Sequence, residues 1–152
     1  MFFWGRYIIV WTIWVVFADK TRWRELFSIA IYASLLGMIT DHLLSDYYVL
    51  WSYNGQPKII KQVLDDIGIY IVTTYLFIQW LPKKKKLISL LFYWFIWTAI
   101  AVGIEWLHLV LDKMNHHKWW SLWFSYMSDW FLLWVFYKVH QIFKYEKLPK
   151  VK

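Results

Sequence analysis

The chain has 152 residues, 61% of them hydrophobic and 24% aromatic, with a formal net charge of +7 and no cysteine. A soluble domain of this length keeps too much surface in water to hide that many large apolar side chains, whereas lipid accepts apolar surface on every side of a helix. The missing cysteines exclude disulfides, thiolate metal ligands and cysteine nucleophiles, and the basic residues lie in short loops and the tail, so no nucleic-acid partner is expected.

Five apolar stretches are predicted to be helices that each cross a hydrocarbon core of about 30 Å. The first runs over 2–18 and ends at the polar run Asp19 to Glu25. A secretory signal needs a positive region before its apolar run; only Arg6 is available, already inside it, so an uncleaved span is expected. The second span covers 26–51 and is followed by Asn54-Gly55 and Pro57; the third covers 63–81 and stops at Pro82 and four lysines, Lys83 to Lys86. The fourth covers 87–111 and the fifth 119–143, before a basic tail. Strands are not expected, because barrel strands show ten-residue alternation rather than long apolar runs. There is no repeat and no second domain, so 1–152 reads as one all-α bundle. Fourteen tryptophans suit the two membrane–water interfaces.

Orientation follows from the 17 Lys and Arg residues. Twelve fall on one side: Lys20, Arg22 and Arg24, the four lysines 83–86, and Lys138, Lys144, Lys147, Lys150 and Lys152. The other side has Arg6, Lys58, Lys61, Lys113 and Lys118. The positive-inside rule then places the N-terminus outside and the C-terminus inside. The bilayer is the main partner, anionic headgroups suit the basic tail, and a membrane-protein partner or a second copy of the chain remains open.

On that topology most of the acidic residues gather in the outer half: Asp41, Asp46, Asp65, Asp66, Glu105, Asp112 and Asp129. Steps of three and four residues place Thr98, Ala101, Glu105, His108 and Asp112 on one face of helix four, and Ser34, Gly37, Asp41, Ser45 and Tyr48 on one face of helix two. Helix three offers Asp66, Tyr70 and Thr73; helix five offers Ser121, Ser125 and Ser128 beside Asp129. Helix one, with Thr12 and Arg6, is expected at the edge. Gly37 and Gly103 would allow close helix packing.

Ionisable groups at membrane depth cost about 2.5–3.5 kcal/mol each on insertion scales, so they face cavities and serve functions. The expected cavity opens outward and is lined by Asp41, His42, Asp46, Asp66, Glu105, His108 and Asp129, with Asp65 beside it. Its leading reading is a site for a divalent metal or a cationic small molecule. His42 with Asp46, and Glu105 with His108, supply two imidazoles and two carboxylates, a set suited to zinc, manganese or iron. An open coordination position would allow metal-dependent hydrolysis with Asp41 or Asp129 as base. Cation or proton transport and a non-catalytic scaffold are the alternatives. His116 and His117 read as interfacial loop residues. No nucleophile elbow or phosphate-cradling glycine loop is present.

Thr40-Asp41-His42, the run Asp46 to Tyr53, Trp23-Arg24-Glu25, Asp65-Asp66 and Glu105 together resemble a family of small, hydrophobic, multi-spanning membrane proteins of Bacillus-like and clostridial bacteria. The resemblance implies a bacterial plasma-membrane location and carries no activity with it. A translocator-type Trp-rich five-helix family is set aside, since the Trp-x-Pro-Pro segment is missing and the prolines lie at 57, 82 and 149.

Overall fold

A computed structural model describes residues 2–54, 60, 63–83 and 86–151. Gly55, Pro57, Lys58, Lys61, Lys84, Lys85 and Lys152, which enter the loop and charge assignments above, lie outside the described residues.

Among the described residues five helices dominate: α1 (Phe2–Phe17), α2 (Trp23–Asp41), α3 (Ile71–Gln79), α4 (Leu87–Val110) and α5 (Leu122–Ile142). Wider π-helical turns extend α2 through His42–Tyr47 and open α3 over Leu64–Tyr70. Among the described residues two stretches, Lys20–Tyr47 and Leu87–Val110, are long and apolar enough to cross a membrane by length and composition. The apolar window of α4 is only 17% buried within the fold. That is the reverse of a soluble core helix, which hides its apolar stripe against neighbours.

The helices run up and down, and side-chain contacts fix which ends meet. At one end, the Gln79 amide at the close of α3 donates to Phe17 O (2.8 Å), and Asp19 N donates back to Gln79 Oε1 (2.8 Å). Tyr75 Oη donates to Asp19 O (2.9 Å), and Val151 N reaches Thr21 O (2.9 Å), bringing the tail to the same end. Asp19 itself accepts from the Thr21 hydroxyl (2.7 Å), and that bond holds its carboxyl below the usual carboxylate range. Between the ends, α2 packs along α3 and α4 along α5. Leu26, Ile29, Ala30 and Ala33 of α2 meet Tyr75, Phe77 and Ile78 of α3, all almost fully buried.

The other end departs from expectation. Helix two was expected to run to Trp51, but its helical backbone ends at Tyr47, and Trp51–Tyr53 (β1) pairs antiparallel with Met114–His116 (β2). The register is Trp51 opposite His116 and Tyr53 opposite Met114. These strands correct the strand-free expectation. Backbone donors and acceptors freed where the helix stops need partners, and the two connections at this end find them in each other. Val49 turns the chain out of the helix at φ 53°, an unusual conformation for a β-branched residue. Asn54 Nδ2 donates to Asp112 Oδ1 (3.1 Å), His117 Nε2 bonds Ser52 Oγ (2.7 Å), and Lys118 Nζ bonds Tyr48 O. The ribbon thus ties the α2–α3 connection to the α4–α5 connection.

Gly37 permits the expected close approach: a Cβ there would lie 2.7 Å from the Tyr70 ring. Gly103 does not, having nothing among the described residues within 4 Å of such a position.

Candidate functional site

Beneath the ribbon lies a cavity of about 650 Å³, within the size range of small-molecule sites. Its charged lining is Arg6 from α1, Asp41 at the end of α2, Asp65 from the π-helical turn, Glu105 and His108 from α4, and Asp129 from α5. Four carboxyl groups therefore face a single guanidinium, beside a histidine. Tyr53, Tyr70, Trp51 and Trp120 add aromatic walls.

Most of these groups are already engaged. Arg6 Nη2 forms an ion pair with Asp65, and Arg6 Nη1 donates to His108 Nε2 (2.7 Å). His108 Nδ1 lies 2.6 Å from Ile104 O, so it is the protonated nitrogen, and Nε2 offers its lone pair to the guanidinium. Arg6 also sits 5.4 Å from the Phe3 ring centroid, a cation–π distance. Helix one therefore supplies a cation to the cavity, which corrects its expected place at the edge. On the far wall, Glu105 Oε1 accepts from Ser125 Oγ (2.6 Å) and pairs with His116 Nε2 (2.7 Å), while Trp120 Nε1 donates to Ser125 Oγ (3.0 Å). His116 thus belongs to the site rather than to a bare interfacial loop.

Asp41 and Asp129 differ. Both line the cavity, Asp41 is only 8% exposed, and among the described residues neither has a hydrogen-bond or ion-pair partner. An uncompensated buried charge costs several kcal/mol, so a carboxylate in this setting calls for a cation.

The sequence-predicted set divides accordingly. Asp41, Asp65, Glu105, His108 and Asp129 come together around the cavity, whereas His42, Asp46 and Asp66 lie outside its lining. His42 is exposed and bonds Asp46 (2.9 Å) on the π-helical turn. Asp66 is buried, and its Oδ1 has no hydrogen-bond partner among the described residues. Its exchange with Asp65 has a geometric cause. An α-helical phase puts Asp66 with Tyr70, but a π-helix bonds i to i+5, and Asp65 lies five residues before Tyr70, which also lines the cavity. Among the described residues no group of three or more His, Asp or Glu side chains has a metal-holding arrangement, and His42 and Asp46 stand apart from Glu105 and His108, which line the cavity.

A second buried cluster, absent from the sequence argument, occupies the opposite end. Glu25 accepts from Arg22 Nη2 (2.7 Å) and Nε (2.9 Å), and its Oε1 lies 2.9 Å from His140 Nε2. Glu25 and His140 are 115 positions apart, and no local spacing links them.

Comparison with family models, curated proteins and solved structures found no match to this chain.

Proposed function

We propose that the protein is a five-span integral membrane protein of a bacterial plasma membrane, N-terminus outside, and that its cavity opens to the outer face and binds a small organic cation through Asp41 and Asp129. The observation that carries this is the pair of carboxyl groups lining the cavity without partners among the described residues, in a site whose other carboxylates are engaged. Support for the topology comes from the ends that meet. The ribbon joins the α2–α3 and α4–α5 connections, while the α1–α2 link, the end of α3 and the tail gather opposite. Alternating spans require that grouping. The exposed apolar face of α4 supports lipid as its surroundings.

Carboxylates lacking hydrogen-bond donors suit an ammonium group, which brings N–H donors and charge together, and Trp51, Tyr70 and Trp120 add faces for cation–π contact. A divalent ion fits less well, because His108 Nε2 is spent on Arg6.

Thermal unfolding in nanodiscs with benzylamine tests the reading. A ligand at about a hundred times its Kd stabilises the folded state by about 2.7 kcal/mol, so Tm rises in the wild type and stays flat in Asp41→Asn/Asp129→Asn. An equal rise in the double variant refutes it. Stoichiometric zinc, manganese or iron in the purified protein, lost in Glu105→Ala/His108→Ala, refutes it in favour of a metal.

A further inference from the structure

The cavity is not walled on all sides. Ile100 and Ile104 of α4, and Phe124, Met127 and Phe131 of α5, line it, yet each is also an exposed side chain on the outside of the bundle. Met127 is 52% and Phe131 62% exposed while both bound the same space as Asp129. These helices carry the two chemistries side by side. Ile104 precedes Glu105, and Met127 and Ser128 precede Asp129, so an apolar residue at the surface adjoins a polar residue facing inward. The lining is therefore polar and aromatic beneath the ribbon and apolar along Ile100, Ile104, Met127 and Phe131, whose side chains also reach the outer surface of α4 and α5, the surface that faces acyl chains in a five-span bundle.

We propose that the cavity takes an amphiphilic amine from the bilayer, its ammonium head at Asp41 and Asp129 and its alkyl chain along Ile100 and Ile104 of α4 and Met127 and Phe131 of α5. This deepens the cation reading and rests on it. The chain loses little by leaving lipid for this apolar lining, since lipid tails are as apolar as the side chains that replace them. Selectivity therefore falls to the head group. A fatty alcohol brings no charge, and a fatty acid brings a carboxylate into a site that already has four. The chain supplies delivery instead: partitioning gains about 0.8 kcal/mol per buried methylene, so a long-chain amine is concentrated at the opening while a short one arrives only through water.

The experiment measures equilibrium binding to the full-length protein in phosphatidylcholine nanodiscs, corrected for empty discs, with benzylamine, tetradecylamine and tetradecanol as probes. The expected result is saturable binding of tetradecylamine at one per protein, at least about tenfold tighter against free aqueous amine than benzylamine. Asp41→Asn/Asp129→Asn should weaken both amines by about tenfold or more. Ile100→Trp/Met127→Trp, which fills the apolar part of the lining, should weaken tetradecylamine by a similar factor and leave benzylamine within about twofold. If Asp41→Asn does not fold, Asp129→Asn alone gives the same comparison. Benzylamine binding without a tetradecylamine advantage, or a Trp variant that weakens both amines alike, overturns lateral entry and leaves the cation reading standing. Tetradecanol binding as tightly as tetradecylamine, or amine binding that ignores both aspartates, overturns the two together.

Discussion

Replacing Arg6 with leucine removes the guanidinium that joins α1 to two other elements, Asp65 on the π-helical turn and His108 on α4. The side chains of Arg6 and Asp65 are 15% and 8% exposed, so the ion pair is largely out of water. Removing one member of a buried pair costs about 3–5 kcal/mol, chiefly because the remaining charge stays desolvated. The exchange of both members for apolar residues of similar volume is neutral or even stabilising in other buried pairs. Arg6→Leu is therefore expected to lose about 3–5 kcal/mol, and Arg6→Leu/Asp65→Leu to recover most of it. Unfolding free energies from denaturant titration of all four members of the cycle, in bicelles, give the coupling directly. A single-variant loss below about 1 kcal/mol, or additive losses in the double variant, refutes the docking of α1 through Arg6.

Four smaller tests probe other parts of the account. Gly37→Ala places a methyl group 2.7 Å from the Tyr70 ring and should cost about 1–3 kcal/mol by overpacking, while Gly103→Ala, with open space around it, should gain up to about 1 kcal/mol from helix propensity; unfolding titrations separate the two. His42→Ala should change stability by less than about 0.5 kcal/mol and leave benzylamine binding intact, because the side chain is 79% exposed and outside the cavity lining. Asp19→Ala should cost about 1 kcal/mol near neutral pH by loss of its cap. The folded carboxyl of Asp19 titrates below its ordinary value of 3.8, so its contribution is present above that value and fades as pH falls through the lower, folded one; a stability–pH curve in which the wild type and Asp19→Ala converge on the acid side checks the sign. Reporter fusions at Lys86 and at the C-terminus should both read as cytoplasmic, and a periplasmic-type signal at either would reverse the proposed orientation.

The five helices were legible because apolar runs of the right length are a one-dimensional signal, and their bounds moved only where the chain stops being α-helical. The cavity's ionisable groups on α4 and α5 were legible for a related reason: Glu105, His108 and Asp129 sit on regular helix, where a step of three or four residues predicts a shared face. Asp65 was placed at the cavity together with Asp66, but helical phase favoured Asp66; the π-helical turn over Leu64–Tyr70 rotates the face by one residue, and nothing in that stretch announces a wider turn. His42 and Asp46 satisfied the i,i+4 rule and do bond each other, but on a face that turns away from the cavity. The ribbon, Arg6–His108 and Glu25–His140 are long-range pairings. Their partners are separated by 102 residues for Arg6–His108 and 115 for Glu25–His140, so only the folded chain brings them together.

The central claim is that Asp41 and Asp129 hold an ammonium group, and iodobenzylamine tests it most directly. A crystal of the protein grown in a lipid phase and soaked with this amine would locate the iodine by anomalous scattering. The account predicts one iodine peak inside the cavity, with the amine nitrogen within salt-bridge distance of the Asp41 or Asp129 carboxylate. An empty cavity, or the amine seated away from both aspartates, would contradict it.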